Sequence, residues 1–189
     1  MHFLSIEEKI LNRITSDKLT ETERVKLRFG FYLVLDTIKK GVLIYLPAIA
    51  LGILFEVFIV HCSFFILRQV CFGWHGRTNL ECLAFSIIFF MVWPLLFTLW
   101  NPVFSNNTLY IAFILLYGLI LLVGPIGTKI NPLDKDQKLT LRKKLMTRIF
   151  IVFLVYMFVS VSIKPLILLG ACIQLTTMVI QFCIDLKSN

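Results

Sequence analysis

LAFSIIFFMVWPLLFTLW, residues 83–100, and LYIAFILLYGLILLVGPIG, residues 109–127, run without a charged side chain and are joined by the uncharged turn NPVFSNNT. Each is close to the ~20 apolar residues that a helix needs to cross a ~30 Å hydrocarbon layer. In lipid the backbone must satisfy its own polar groups, so such stretches read as helices. They predict a helical hairpin with Trp100 and Tyr110 near one interface. The rest of the chain has the same pattern. Of its 189 residues 58% are hydrophobic and 16% charged, and the charges fall in short blocks between apolar runs, which a water-soluble core does not require.

Outward from the hairpin, residues 128–148 hold Lys129, Lys135, Lys138, Arg142, Lys143, Lys144 and Arg148 against Asp134 and Asp136. The positive-inside rule makes this a basic cytoplasmic loop. The hairpin 83–127 returns to the side it started from, so residues 68–82 are expected on the cytoplasmic side as well. Beyond the loop, 149–163 and 165–184 form a C-terminal helical pair. It is interrupted at Lys164-Pro165, where proline removes a helix donor and lysine can reach the outer interface.

Toward the N-terminus, residues 41–67 carry only Glu56 and His61 as ionisable groups besides cysteine and tyrosine. At ~1.5 Å per residue they make about 40 Å of helix, enough for one tilted span or two short segments. One crossing would leave the eight Lys and Arg of residues 1–40 outside, so two short or partly re-entrant helices are expected. Residues 1–40 place Phe3, Ile6, Ile10, Leu11 and Ile14 on one stripe, an amphipathic region at the cytoplasmic surface. Residues 1–27 are charged throughout, so no cleaved leader is expected. The expected fold is an all-α polytopic integral membrane protein of about six membrane helices in a single domain, resident in the cell membrane.

The polar cluster between the apolar runs is Arg68-Gln69-Val70-Cys71-Phe72-Gly73-Trp74-His75-Gly76-Arg77-Thr78-Asn79-Leu80-Glu81-Cys82. On one straight helix His75 and Cys82 would sit two turns apart, ~10 Å, too far for proton transfer. Gly73 and Gly76 argue against that helix. Thr78 and Glu81 read as a capping box, which starts a helix there and puts Cys82 in its first turn, where the positive end of the dipole favours a thiolate. A glycine-bounded loop could then fold His75 back onto the sulfur, the minimum equipment for acyl transfer. Arg68 either pairs with a substrate carboxylate, holds the loop, or is a snorkelling interfacial residue. Glu81 either caps or orients His75. By composition alone Cys82 reads more readily as a small apolar residue on a buried helix and His75 as an interfacial hydrogen-bonder.

Five cysteines without a C-x-x-C pair argue for free thiols, Cys172 and Cys183 among them as packing residues. His61, Cys62, Cys71 and His75 show no metal-ligand spacing, so no metal or other cofactor is expected. The formal charge of +8 sits beside apolar spans and speaks for topology and an anionic lipid surface rather than nucleic acid. No G-x-x-x-G motif marks a dimer face, although a homodimer would enlarge an enclosed site.

The spacing R-x-x-x-x-G-x-H-x-x-x-x-x-x-C, filled by Arg68, Gly73, His75 and Cys82 and preceded by Phe65 and Leu67, resembles the AgrB family of quorum-sensing peptide processors. The likeness extends over most of the chain, through the amphipathic start, the span order, Gly124-Pro125, Thr128-Lys129 and Pro132. Gln69 departs from it, standing where a second basic residue often follows the arginine. The resemblance implies a cysteine endopeptidase with His75 as base and Cys82 as nucleophile. Its substrate would be a small AgrD-like precursor peptide with an acidic C-terminal part, cleaved there through a thioester and cyclised to a thiolactone or lactone autoinducer. The contrasting expectation is a non-enzymatic transporter or peptide-export component in which the same loop only binds.

Overall fold

The computed structural model describes residues 8–11, 13–14, 20–74, 76, 78–127 and 133–187. These fall into two compact units, residues 1–43 and 44–189. Within the first, residues 8–11 and 13–14 are helical, with Leu11 buried and Ile10 and Ile14 exposed. Helix α1 (Glu21–Ala50) then carries the chain into the second unit. Thr20 caps its start: the Thr20 amide and hydroxyl both donate to the Glu23 carboxylate, at 2.9 and 2.8 Å, and the Glu23 amide donates back at 3.4 Å. Those bonds hold the Glu23 carboxyl below its ordinary pKa, because they favour the charged form.

The second unit contains α2 (Leu54–Cys71), α3 (Asn79–Ile87), a π-helical turn (Ile88–Val92), α4 (Trp93–Trp100), α5 (Asn106–Val123), α6 (Lys135–Phe158) and α7 (Lys164–Lys187). Among the described residues four stretches are long and apolar enough to cross a membrane: Leu54–Cys71, Leu80–Trp100, Asn106–Val123 and Lys164–Leu186. The protein is thus an all-helical polytopic membrane protein. Leu99, Trp100, Ile114, Leu115 and Leu122 are all more than half exposed, as lipid-facing side chains are and as a water-soluble surface would not tolerate in such number.

The apolar run 41–67 is broken at Leu51-Gly52-Ile53, where Gly52 takes φ +70°. The segment 79–100 is one continuous rod with a widened turn in it. Pro94 has no N–H to give, and just before it the Trp93 amide reaches five residues back to the Ile88 carbonyl, the local i to i−5 pattern of a π-bulge. The stretch expected as a basic loop is instead helical from Lys135. Gln137 accepts from the Asp134 amide at 3.4 Å, and the residues that follow, Lys, Leu, Arg and Met among them, are strong helix formers.

Helices α2 and α7 cross where Gly170 leaves no side chain between them. A Cβ there would lie 2.5 Å from the Val60 carbonyl oxygen and 2.7 Å from Ser63 Cβ. The Ser63 hydroxyl donates across the same crossing to the Ile167 carbonyl at 2.7 Å. Small residues that let backbones approach are the usual basis of helix association in lipid, where no hydrophobic gain drives it. Around the crossing, α2, α5, α6 and α7 share a core that includes Leu67, Cys71, Phe113, Tyr117, Tyr156 and Met178.

Lys164 is folded into the bundle and does not extend from its surface. It is 4% exposed, its Nζ donates to Asn106 Oδ1 at 3.2 Å and to the Tyr110 hydroxyl at 3.0 Å, and it lies 4.4 Å from the Tyr110 ring centroid. The helix starts folding back at this point, and α5 and α6 close over the amine before it can extend. Cys172 and Cys183 are also not packing residues; both are exposed on the flank of α7.

Replacing Gly170 with Ala is expected to destabilise the bundle by about 1–3 kcal/mol, because the methyl collides with backbone that cannot yield. Gly118→Ala on α5 meets nothing within 4 Å and should be neutral or mildly stabilising. Thermal unfolding of the two variants in the same detergent, followed by circular dichroism, checks the contrast.

Candidate functional site

The helix α2 ends at Cys71 because the chain turns sharply there. Phe72 adopts φ +53°, ψ −150° and Gly73 φ +132°, consecutive left-handed residues that no α-helix accommodates. For Phe72 this backbone costs on the order of 1–3 kcal/mol. Surrounding bonds hold it in place: Gln174 Nε2 of α7 donates to the Phe72 carbonyl at 2.6 Å, and the Trp74 amide donates to the Thr177 carbonyl at 2.9 Å. On the other flank the Ile126 amide donates to the Cys71 carbonyl at 3.2 Å. Gly124 lies where a Cβ would come 3.4 Å from Cys71 Sγ.

Arg68, in the last turn of α2, spans the loop. Its Nη2 donates to the Trp74 carbonyl at 3.0 Å and its Nη1 to Thr177 Oγ1 at 3.4 Å. It is half-buried and occupied in holding the loop rather than extended to solvent. Gly73 is required twice, by its φ and by space, since a Cβ would stand 2.8 Å from Arg68 Nη1 and 2.9 Å from Thr177 Oγ1. The Trp74 ring packs on Phe85 of α3 at 4.6 Å between centroids.

Thr78 is the N-cap of α3, accepting from the Glu81 amide at 3.2 Å, as the capping signal predicts. The Cys82 amide donates to the Thr78 carbonyl at 3.1 Å, and the Cys82 carbonyl accepts from the Ser86 hydroxyl at 2.8 Å. Cys82 is half-buried and in no disulfide, and Glu81 is exposed. Gly76 folds back against this first turn. A Cβ on it would lie 2.6 Å from the Cys82 nitrogen and 3.0 Å from its Cα. Residues 72–74 and 76 are not helical, so the two-turn separation that a straight helix would impose does not arise. His75 and Arg77 lie outside the described residues, as do Thr128, Lys129 and Pro132.

The two cysteines differ in access: Cys71 is 0% exposed in the core and Cys82 is not. A cavity of about 460 Å³ opens beside the loop, lined by Phe72 and by Leu133, Asp136, Gln137, Thr140 and Leu141. It sets the loop next to the start of basic α6. His61 belongs to a different environment, with Nδ1 2.8 Å from the Tyr45 hydroxyl and its ring stacked on Phe90 at 4.5 Å. Among the described residues no three His, Cys, Asp or Glu side chains converge as a metal site would need.

Sequence reasoning missed Gln174 and Thr177, which anchor the loop from the far end of the chain. Their signal is the polar series Gln174, Thr177 and Gln181 at helical spacing within an apolar span. In a membrane helix such a series marks a face turned to protein. All three are buried.

The accessory gene regulator B family model matches residues 7–182 of the chain. An AgrB-like protein of Listeria monocytogenes serotype 4a is 30% identical over 168 residues, covering 85% of this chain and 80% of its own length. A second from Listeria welshimeri is 28% identical with the same coverage. The accessory gene regulator protein B of Staphylococcus epidermidis is 28% identical over 167 residues, 86% of this chain and 82% of its own. No solved structure matches the chain. With nearly its whole length matched and its helical membrane fold in hand, the chain belongs to the accessory gene regulator B family.

Proposed function

We propose that this protein is a membrane cysteine endopeptidase that acts in accessory gene regulator quorum sensing. In this reading it cleaves the C-terminal part off a small AgrD-like precursor and promotes cyclisation of the remainder. The observation that carries it is the fold-back of Gly76 onto the backbone of Cys82. His75 immediately precedes Gly76 in sequence, and this reading takes it as the base for Cys82. Arg68, bonded to the Trp74 carbonyl and to Thr177 Oγ1, holds the loop that leads toward Cys82.

The chemistry follows from those groups. The Cys82 thiol gives its proton to the His75 imidazole as sulfur attacks the scissile carbonyl carbon. Collapse of the tetrahedral intermediate breaks the C–N bond, and the imidazolium returns the proton to the leaving amine. The acyl group is left on Cys82 as a thioester. A thiol or hydroxyl within the precursor then attacks that carbonyl, the C–S bond to Cys82 breaks, and a thiolactone or lactone ring departs. Thioester exchange conserves much of the bond energy, so ring closure needs no further energy source.

The basic half of α6, beside the Phe72-lined cavity, supports two further parts of the reading. By the positive-inside rule it argues for a loop on the cytoplasmic side of the cell membrane. By charge it suits a precursor whose departing segment is acidic, each nearby cation contributing on the order of 1 kcal/mol at an anionic surface.

Cys82→Ala is expected to abolish precursor cleavage and, with it, a hydroxylamine-sensitive adduct between precursor and enzyme, whereas Cys71→Ala at matched expression should largely retain both. Equal cleavage by the two variants would remove Cys82 from the chemistry and favour a module that only binds or exports peptide. Gly76→Ala is expected to lower the cleavage rate about 100-fold, since displacing a catalytic group by ~1 Å has that scale of effect. Quantifying the released C-terminal fragment by mass spectrometry after a fixed incubation measures both comparisons.

A further inference from the structure

We propose that Trp74 is a positioning residue for this chemistry: its ring, packed on Phe85, seats the loop on the face of α3 that carries Cys82. The proposal rests on the reading of Cys82 as nucleophile and names the contact that joins the loop to the nucleophile's own helix. The Trp74 and Phe85 rings stand 4.6 Å apart between centroids at an interplanar angle of 56°, within the range over which aromatic pairs attract. Phe85 follows Cys82 by three residues, and side chains at that spacing lie on one face of a helix, a turn apart. The half-buried Cys82 and the half-buried Phe85 therefore share the face against which Trp74 packs. Phe85 in turn packs on Phe89 at 5.3 Å, one turn further along the same rod, so the surface that receives the indole is itself braced.

Three groups of Trp74 are engaged, each by a different element. Its amide donates to the Thr177 carbonyl of α7 at 2.9 Å, its carbonyl accepts from Arg68 Nη2 of α2 at 3.0 Å, and its ring meets α3. The two backbone bonds fix residue 74 relative to α2 and α7 whatever its side chain. The ring is what carries that position across to α3, and with two χ angles to fix, an indole does so at small conformational entropy. An interfacial anchor needs its ring only in the headgroup layer; this one is committed to a partner on the neighbouring helix. Two residues on, the Gly76 backbone lies against Cys82, where a Cβ would come within 2.6 Å of the Cys82 nitrogen. Residues 74 and 76 thus both bear on α3, one by a ring and one by backbone, and the cleavage reading draws its base from the segment they bracket.

The test gives the full-length protein in nanodiscs a synthetic AgrD-like precursor peptide over a range of concentrations, and mass spectrometry of the released C-terminal fragment yields kcat and KM. Thermal unfolding in the same nanodiscs sets equal folded amounts. Trp74→Ala keeps both backbone bonds and removes the ring, and kcat should fall about 10- to 100-fold, the scale of a displacement approaching ~1 Å, with KM within about twofold of the parent's. Where alanine unfolds the protein, Trp74→Leu keeps apolar bulk without a ring and carries the same expectation. Trp74→Phe keeps an aromatic partner for Phe85 and should restore kcat to within about threefold. Phe85→Ala removes the other half of the pair and should slow cleavage by a similar factor. The double variant, Trp74→Ala with Phe85→Ala, should match the slower single variant to within about twofold, because the second change deletes a contact already lost. The proposal is overturned if Trp74→Ala retains the parent kcat and KM, if it raises KM at unchanged kcat, which would make the ring a contact to the peptide, if Trp74→Phe is as slow as alanine, or if the two losses multiply in the double variant. Cys82→Ala measured alongside separates this proposal from the reading beneath it. Cleavage at the parent rate by that variant ends both, whereas its inactivity beside an unaltered Trp74→Ala ends the positioning role alone.

Discussion

A stretch of chain that leaves helix at the edge of an apolar bundle must find partners for its amides and carbonyls within the protein, because lipid offers none. Between α2 and α3 that stretch includes residues 72–74 and 76, and the partners of Phe72 and Trp74 come chiefly from α7: Gln174 for the Phe72 carbonyl, the Thr177 carbonyl for the Trp74 amide. Arg68 covers the Trp74 carbonyl. Without those bonds, two consecutive left-handed residues, one of them a phenylalanine, would relax toward continued helix. Cys82 would then lose the turn folded against it. The candidate site is therefore a consequence of where α7 docks.

That docking is fixed by contacts that tolerate little adjustment. Gly170 sits against the backbone of Val60 and Phe64, and Ser63 bonds to the Ile167 carbonyl. From there to Thr177 is seven residues, two helical turns or about 10 Å along the axis. A slip of one residue at the crossing would rotate Thr177 by ~100° and turn its hydroxyl away from Arg68. Close packing at Gly170 and hydrogen bonds two turns further along thus specify the same register, a local agreement that gives a membrane helix a single seat.

The membrane class, the hairpin and the start of α3 were legible because each depends on residues near one another in sequence. Apolar runs of span length, a Thr at the cap and glycines around a polar cluster carry their meaning locally. The partners of the loop were not legible, since nothing near Arg68 says that Thr177 lies beside it 109 residues on. The basic segment was misread as a loop for a related reason: positive charge reports which side of a membrane a segment occupies, not its backbone conformation, and helix formers such as Lys, Leu and Arg are also what a charged loop contains. Snorkelling was the reasonable expectation for Lys164 taken alone. It failed because Asn106 and Tyr110, a whole helix away in sequence, meet the amine first.

Lys164 bears on the site although it stands at the first residue of α7, about three to four turns from Gln174 and Thr177. A cation in the first turn of a helix opposes the helix dipole, and burying it costs several kcal/mol unless it is well paired. Here the partners are an amide oxygen, a hydroxyl and two tyrosine faces, with Tyr156 itself fixed by a bond to the Leu109 carbonyl. Such an arrangement is stable only with α5, α6 and α7 in one relative position, so it trades stability for geometry. At its first residue Lys164 ties α7 to α5 and α6, about two turns in Gly170 ties it to α2, and at its middle Gln174 and Thr177 tie it to the loop. Polar groups that are expensive to bury are thus placed where losing register would leave them unpaired. The cost of that mispairing is what keeps a loop of strained residues in one conformation beside Cys82.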